Sequence, residues 1–254
     1  MGAVSDSIDL NCDLGEGVGD DAALFPLITS ANIACGFHAG DAETIAESCR
    51  LAVQYGVAIG AHPSYNDREG FGRRELEVDD LTLLAEWSVQ VRAVRVAAAE
   101  AGGALAYVKP HGALYNRLQV DAHLATLFCT AMADANRGGD VVPLLGMPGS
   151  ALELASSRQG IEYVREAFAD RAYLPDGTLA PRRLPGALID DVDRVAERAV
   201  AIATGRGIRA VDGTRIAIDA SSLCLHGDTP GAPALAAAVR EALAEAGVDI
   251  RSFA

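Results

Sequence analysis

Short apolar runs that alternate with longer segments of helical period are the feature that most restricts how this chain can fold. The runs are rich in Val, Ile, Leu and Ala, and such alternation is typical of βα units around a parallel sheet, whose strands are buried on both faces. The pattern predicts seven strands, over residues 7–12, 31–36, 57–61, 104–109, 141–145, 161–166 and 221–226. It predicts helices over residues 41–55, 79–102, 121–136, 148–158, 190–205 and 231–247.

Local signals add detail to this pattern. The predicted N-terminal caps of three helices are Asp41, Asp79, and either Asp228 or Thr229 ahead of Pro230. The helix over residues 79–102 is predicted to bury the face that carries Leu81, Leu84, Trp87 and Val91. The segment IRAVDGTRIAID is predicted to form a hairpin that turns on Asp212-Gly213 before the last strand.

Parallel strands with intervening helices can close as a barrel or remain an open, doubly wound sheet. No G-x-G-x-x-G follows the first strand, where an open dinucleotide-binding sheet would carry its phosphate loop. We therefore favour an α/β fold of the barrel type. The chain has 254 residues and no recognisable linker, so residues 1–254 are predicted to form a single domain.

Composition and charge exclude several classes of protein. The formal net charge of −14 repels polyanions, which argues against nucleic-acid binding. The five cysteines are odd in number and none has C-x-x-C spacing, so no disulfide framework or zinc ribbon is expected. The chain lacks the roughly 18 consecutive apolar residues of a membrane span, and MGAVSDSIDLNCDLGEG does not resemble a secretory signal. We expect a cytoplasmic protein that binds no membrane.

Four of the five histidines follow strand-like runs at equivalent places, in GFHAGD (His38), GAHPS (His62), VKPHG (His111) and CLHGD (His226). In a parallel barrel the carboxyl ends of the strands meet at one opening, where enzymes of this architecture keep their chemistry. We therefore expect the four imidazoles to point into one cavity. The fifth, His123, lies within a helical segment and is assigned no function.

The first strand ends in NCDLGEG, which places Asn11, Asp13 and Glu16 at the same opening. The two carboxylates are candidates either for capping a turn or for binding a divalent metal ion together with imidazoles. The metal ligands predicted in the second case are Asp13, His38 and His62. No H-E-x-x-H or other closely spaced ligand motif is present to decide between these cases.

Lys109 is the only lysine among 21 basic residues, which indicates a position where arginine could not serve. It lies two residues before His111, so the two side chains are expected to face the same way. A partly buried ammonium in this place can neutralise a substrate carboxylate, stabilise an oxyanion or, with a lowered pKa, act as a base. Tyr115 and Asn116 are predicted to follow in the same loop and to bind substrate.

The segment REAFADRAY contributes Glu166, the favoured acid or base, and Arg171. A structural ion pair between Asp170 and Arg171 is an alternative for those two residues. The long polar loop from His62 to Glu75 contains the adjacent Arg73 and Arg74, which are predicted either to grip a carboxylate or phosphate or to lie on the surface.

Together, the motifs NCDLGEG, NIACGFHAGD, GAHPSYNDREGFGRRE, VKPHGALYN, EAFADRAY and LCLHGDTP resemble those of the LamB/YcsF family, from about residue 8 to residue 230. One departure is Asn66, where an imino acid is often found. The resemblance implies an irregular seven-stranded (β/α) barrel of the glycoside hydrolase/deacetylase type. It also implies ATP-dependent opening of the 5-oxo-L-proline lactam to L-glutamate, with ATP and Mg²⁺ and with 5-oxoprolinase subunits B and C as partners.

These considerations together define the predicted site. The predicted catalytic residues are Asp13, Lys109, His111, Glu166, Arg171 and His226. The predicted substrate-binding residues are Asn11, Glu16, Arg73, Arg74, Tyr115 and Asn116.

Residue chemistry alone leaves other functions open. The chain has no G-x-x-x-x-G-K-[ST], so ATP would have to be bound by backbone amides, arginines or a metal ion, or partly by partner subunits. A metal-dependent deacetylase or amidohydrolase that acts without ATP would need the same residues. A noncatalytic protein that binds a small amide or sugar is the third alternative.

Overall fold

Seven parallel strands close into a barrel in a computed structural model, which describes residues 7–135 and 141–254. The strands are β1 (Ser7–Leu14), β2 (Ser30–Ala34), β3 (Ala58–His62), β4 (Leu105–Val108), β5 (Leu144–Gly146), β6 (Tyr163–Phe168), β7 (Ile208–Arg209), β8 (Arg215–Ile216), β9 (Ser222–His226) and β10 (Asp249–Ile250). The order around the barrel is β1-β2-β3-β4-β5-β6-β9, and β9 pairs with β1 to close it. The predicted α/β barrel with seven parallel strands is confirmed.

Two short pairings lie outside the ring. Strands β7 and β8 form the predicted antiparallel hairpin around Asp212-Gly213. Strand β10, which was not predicted, adds a parallel pair to the start of β1. Beyond it, the Phe253 ring packs 5.1 Å from the Tyr107 ring, so the C-terminal segment lies against the base of the barrel.

Helices surround the barrel: α1 (Asp21–Leu24), α2 (Ala42–Tyr55), α3 (Asp80–Glu100), α4 (Gly112–Val120), α5 (Ala122–Ala135), α6 (Ala151–Gln159), α7 (Val192–Ala203) and α8 (Ala232–Glu245). The main apolar core lies between these helices and the outward-facing residues of the strands, such as Leu10 and Cys12 of β1. No helix in the described ranges is long and apolar enough to cross a membrane.

The predicted helices are confirmed, but the short helix α1 and helix α4 were not predicted. Helix α4 was predicted as a loop because it starts with Gly112 directly after a strand end, where Pro110 and glycine resemble a turn. Tyr115 and Asn116 therefore lie on a helix. The prediction for residues 121–136 corresponds to α5, and residue 136 lies outside the described residues.

The predicted caps of α2 and α3 are confirmed, because the side chains of Asp41 and Asp79 accept hydrogen bonds from backbone amides of the first helical turn. The predicted cap of α8 is wrong. This helix follows Gly231, and Pro233 rather than Pro230 occupies its first turn. The carboxylate of Asp228 pairs with Arg73 instead of capping the helix.

The predicted buried face of α3 is wrong at its first residue. Leu81 is 78% exposed, whereas Leu83, Trp87 and Val91 are buried. Trp87 lies six residues after Leu81 (two steps of three, through Leu84), and this spacing falls about 120° short of two full turns of an α-helix. Leu81 therefore cannot share a face with Trp87. Steps of four, as between Leu83, Trp87 and Val91, stay within one face.

Inside the barrel, one glycine makes room for a large side chain. Gly60 lies between Ala58 and His62 on the interior face of β3. A Cβ atom at Gly60 would lie 2.2 Å from Cζ of the buried Tyr107. The Tyr107 hydroxyl in turn donates a hydrogen bond to Asn32 Oδ1 over 2.6 Å, which holds the ring in place.

We predict that Gly60→Ala lowers the free energy of unfolding by about 1–3 kcal/mol, because the added methyl group overpacks the interior of the barrel. Chemical denaturation would measure the change. In a Tyr107→Leu background the same substitution should cost less, since the atoms that it meets are gone. An equal cost in both backgrounds would contradict this account.

Candidate active site

The four strand-end histidines are all buried at the carboxyl end of the barrel, which we call the mouth. Three of them contact one another: the rings of His38 and His111 stack at 3.9 Å, and His111 Nδ1 lies 3.0 Å from His62 Nε2. His226 lies on the other side of the mouth, where its Nδ1 is 2.7 Å from Asp170 Oδ2. His123 pairs with Asp80 on the surface and does not belong to this group.

Backbone carbonyls fix which nitrogens of two histidines carry protons. His62 Nδ1 donates to Lys109 O over 2.7 Å, and His111 Nε2 donates to Phe71 O over 3.0 Å. A carbonyl can only accept, so both outer nitrogens must be protonated. In neutral rings, His62 Nε2 and His111 Nδ1 would then direct lone pairs at each other over 3.0 Å. A cation between them, either a proton or a metal ion, is needed to relieve this contact.

Two carboxylates face the same point. Asp13 Oδ2 lies 3.4 Å from His62 Nε2, and Glu16 Oε1 lies 3.6 Å from His111 Nδ1. Glu16 Oε1 is buried without a hydrogen-bond partner. One ligand atom from each of Asp13, Glu16, His62 and His111 lies within 4.8 Å of the others, which makes these residues a possible metal-binding cluster.

The cluster differs from the predicted ligand set of Asp13, His38 and His62, because it includes Glu16 and His111 and leaves out His38. Glu16 and His111, predicted to bind substrate and to act in catalysis, belong to it. His38 lies beside the cluster: its Nε2 is 3.5 Å from Glu16 Oε1, and its Nδ1 contacts Ser64 Oγ at 2.9 Å. Because the Ser64 hydroxyl donates to Tyr65 O, it is available to accept from His38.

Burial favours the uncharged forms of Glu16, His38 and His111. It raises the pKa of Glu16 to about 9, with smaller contributions from Asp13 and Asp228. It lowers the pKa of His38 to about 3, and that of His111 well below the ordinary value, with neighbouring histidines adding to both effects. Neutral imidazoles are the form that binds metal ions, and a divalent ion would favour the ionised form of Glu16.

Below the histidines, the buried Lys109 ammonium is shared by two carboxylates. Lys109 Nζ lies 3.1 Å from Asp13 Oδ1 and 3.0 Å from Glu166 Oε2, and it also donates to Asn11 Oδ1 and Cys224 Sγ. Burial disfavours the ammonium, but Asp13, Cys224 and Glu166 outweigh it and raise the Lys109 pKa well above its ordinary value. For Asp13, Lys109 likewise outweighs burial, and the pKa is lowered. A compact ammonium meets acceptors on several sides, which a planar guanidinium cannot do.

The amide side chains of Asn11 and Asn32 hold the carboxylates around Lys109 in position by hydrogen bonds. Asn11 Nδ2 donates to Ser222 Oγ over 2.7 Å, and Asn32 Nδ2 donates to Asp13 Oδ1 over 2.8 Å. Asn32 was not predicted, because it lies within the apolar run of β2 and has no strand-end position to mark it. Its place directly across from Asp13 follows only from the pairing of β1 with β2.

The β6 side of the mouth carries residues at alternate positions. Glu166 and Phe168 lie on β6, and Asp170 follows two residues later. Phe168, also not predicted, lies 5.6 Å from the His226 ring and 5.8 Å from the Tyr115 ring. Asp170 hydrogen-bonds His226 instead of pairing with Arg171, whose guanidinium donates to Ala180 O.

Of the remaining residues predicted to bind substrate, some lie in or at the mouth and others point away from it. Tyr115 is buried near Glu166, whereas Asn116 is exposed on the same helix. Arg73 pairs with Asp228 and lies over the Phe71 ring, at the rim of the mouth. Arg74 is directed away, towards Asp67 and Glu69.

A loop covers the mouth. Gly72 lies so close to the histidines that a Cβ atom there would be 2.9 Å from both His38 Cβ and His111 Cδ2. Phe71, which precedes it, adopts a backbone φ of 56°, a conformation that residues other than glycine rarely take. The loop thus packs directly against the buried histidines.

Comparison with known proteins gives relatives over nearly the whole chain. The proteins named as the A subunits of 5-oxoprolinase in Streptomyces griseus and Streptomyces coelicolor are each 51% identical over 252 residues, which cover 97% of this chain and 100% of theirs. The crystal structure of the lactam utilization protein from Thermus thermophilus superposes with a TM-score of 0.90 at 42% identity, covering 97% of this chain and 100% of that one.

The family model described as "LamB/YcsF family" matches residues 8–254, which include every residue of the site described above. The predicted family resemblance is therefore confirmed, and this chain belongs to the LamB/YcsF family.

Proposed function

We propose that this chain is the A component of an ATP-dependent 5-oxoprolinase, which opens the lactam of 5-oxo-L-proline to L-glutamate together with partner subunits B and C. The observation that carries the proposal is the 51% identity to relatives that bear the name of this component, which extends over 97% of this chain and the whole of each relative. The lactam utilization protein of Thermus thermophilus supports the same substrate class.

The chemistry of the mouth suits the opening of a lactam. An amide of this kind resists hydrolysis, so it needs an activated carbonyl, a positioned water molecule and a proton for the leaving nitrogen. Glu166 Oε2 is held by Lys109 and Asn11, while Glu166 Oε1 is buried without a partner. We assign Glu166 to the acid or base role, with Tyr115 beside it to orient the substrate. Arg171, whose Nε is also buried without a partner, is assigned to the substrate carboxylate.

Asp13, Glu16, His62 and His111 are proposed to hold a divalent metal ion. The opposed lone pairs of His62 and His111 and the unpartnered oxygen of Glu16 fit such an ion. When bound, a metal ion would supply an electrophile for a carbonyl or phosphoryl oxygen. The chain's own contribution is to fix the tautomers of His62 and His111 through the backbone carbonyls of Lys109 and Phe71.

The nucleotide is proposed to bind at a site shared with partner subunits. The two adjacent arginines of the rim do not present free guanidinium groups, because Arg73 pairs with Asp228 and Arg74 with Asp67 and Glu69. The sequence also lacks a Walker-type phosphate loop. This chain would then supply the lactam site, and Mg²⁺ would accompany ATP where the subunits meet.

A second candidate function is favoured by the metal-binding cluster. Two carboxylates and two imidazoles within 4.8 Å would also suit a metal-dependent deacetylase or amidohydrolase that acts without ATP. The two functions differ in their need for ATP and for partner subunits.

We predict that the isolated chain releases little or no glutamate from 5-oxoproline. Addition of candidate subunits B and C, ATP and Mg²⁺ should produce glutamate and ADP together, which coupled assays of both products would measure. Robust turnover by the chain alone, with or without ATP, would contradict the proposed division of labour. Turnover of an amide without ATP would favour the second function.

We predict that the chain, incubated with Zn²⁺, Mn²⁺ or Mg²⁺ and desalted, retains about one divalent ion, because donor sets of this kind bind tightly. Elemental analysis would measure the content. Glu16→Gln and His62→Ala should each weaken binding by about tenfold or more, whereas His123→Ala, on the surface, should not. A wild-type chain that binds none of the three ions would contradict the metal assignment and would indicate that a proton separates His62 from His111.

We predict that Glu166→Gln lowers kcat of the reconstituted complex by about 10²–10⁴, because glutamine keeps the shape of the side chain but cannot transfer a proton. Glu162→Gln is the matched control, since Glu162 is exposed immediately before the start of β6 and should leave kcat unchanged. Normal turnover by a folded Glu166→Gln variant would remove Glu166 from the acid or base role.

A further inference from the structure

One carboxylate at the mouth is directed at a histidine rather than at the Lys109 group. Asp170 Oδ2 lies 2.7 Å from His226 Nδ1 and also accepts from the His226 backbone amide over 3.2 Å. Asp170 is 3% exposed, so the hydrogen bond is shielded from water. Burial tends to raise the pKa of Asp170, but interaction with His226 outweighs it, and the carboxylate stays ionised.

This contact fixes the tautomer of the imidazole. A carboxylate can only accept, so His226 Nδ1 carries the proton and His226 Nε2 carries the lone pair. Within residues 7–135 and 141–254, Asp170 is the one side chain that hydrogen-bonds the His226 ring. Nε2 is therefore available for substrate or water.

The ring plane is fixed as well. The Phe168 ring lies 5.6 Å from the His226 ring at an interplanar angle of 22°, so the imidazole stacks on it. Phe168 ends strand β6, Asp170 lies in the bend that follows it, and His226 ends the neighbouring strand β9. The end of β6 and the bend after it thus fix both the orientation and the tautomer of the His226 ring.

The other three histidines at the mouth are engaged differently. The inner nitrogens of His62 and His111 face each other within the metal-binding cluster. His38 stacks on His111 and directs its Nε2 at Glu16. His226 is the one strand-end histidine held by a carboxylate on one nitrogen with the other nitrogen not hydrogen-bonded in the described part of the chain.

We propose that Asp170 is a positioning residue that presents His226 Nε2 as the proton carrier of lactam opening, an inference that rests on the proposed function. As the water oxygen bonds to the lactam carbonyl carbon, His226 Nε2 takes one proton from that water. As the carbon–nitrogen bond breaks, the same proton passes to the leaving nitrogen. His226 returns to its neutral form, so the proton balance of this step closes. The ATP that the proposed function requires serves to activate the lactam carbonyl for this attack.

The test combines single and double substitutions in the reconstituted complex. Asp170→Asn should lower kcat by about a hundredfold or more, because it removes the control of the tautomer, with KM for 5-oxoproline changed less than about threefold. His226→Gln should lower kcat at least as much. The double variant should be no slower than His226→Gln alone, since Asp170 acts through that ring. If the losses of kcat in the two single variants multiply in the double variant, the proposal is overturned.

Asp80→Asn is the matched control. Asp80 contacts His123 Nε2 over 2.8 Å, so it forms an equally short Asp–His contact, but on the surface. This variant should keep full turnover. A loss in Asp80→Asn as large as in Asp170→Asn would overturn a specific role for the buried pair.

A second measurement depends neither on enzyme activity nor on the Asp170→Asn variant. Nitrogen-15 NMR of the isolated wild-type chain reports which nitrogen of His226 carries the proton, with His226→Gln used to assign the signal. A proton on Nδ1 is expected, and a proton on Nε2 would overturn the inference even if Asp170→Asn failed to fold. Absence of glutamate from the wild-type complex with a normal NMR result would instead count against the proposed function.

Discussion

A buried ammonium shared by two carboxylates is the interaction on which the interior of this barrel depends. Asp13 comes from β1, Lys109 follows β4 and Glu166 comes from β6, so the ion group joins three sides of the ring. Removing charges from water costs several kcal/mol per ion, and only close pairing with further hydrogen bonds offsets that cost. Asn11 and Asn32 supply those bonds, which leaves the positions of both carboxylates with little freedom.

Lys109 also connects this ion group to the histidines above it. Its ammonium holds Asp13 Oδ1, while its backbone carbonyl accepts from His62 Nδ1. The other oxygen of Asp13 faces His62 Nε2 at 3.4 Å. One residue therefore determines the position of a carboxylate and the tautomer of the imidazole beside it. The positions of Asp13 and His62 are thus set by strands β1 and β3 of the barrel, whereas Glu16 and His111 follow the ends of β1 and β4.

The sequence was most informative where a strand ends in a residue type that rarely occurs there without cause. His38, His62, His111 and His226 all follow apolar runs, and the single lysine stands out in a chain otherwise rich in arginine. Alternation and turn residues were enough to predict the barrel and its seven strands. What they could not supply was which residues face each other across the ring, because that depends on strand pairing and register.

The errors and omissions have the same origin. Asn32 and Phe168 lie inside apolar runs, so nothing local distinguishes them from packing residues, although both contact predicted site residues. Arg73 and Arg74 were candidates for binding an anion, but they form ion pairs with the carboxylates of Asp228 and Asp67. Those partners are separated from the arginines by 155 and seven residues in the sequence, and only the first separation is beyond the reach of local reasoning.

The mouth contains histidines with two different roles, a metal ligand and a proton carrier, and one imidazole cannot serve in both. A cation site needs neutral imidazoles whose lone pairs converge, which carbonyl acceptors on the outer nitrogens of His62 and His111 ensure. A proton carrier needs an imidazole that can become positive, which a carboxylate such as Asp170 favours. A neutral carbonyl in place of that carboxylate would fix the same tautomer of His226 but would stabilise its positive form far less. The choice between a carbonyl and a carboxylate as the second partner is therefore what assigns different chemistry to side chains of the same type in one pocket.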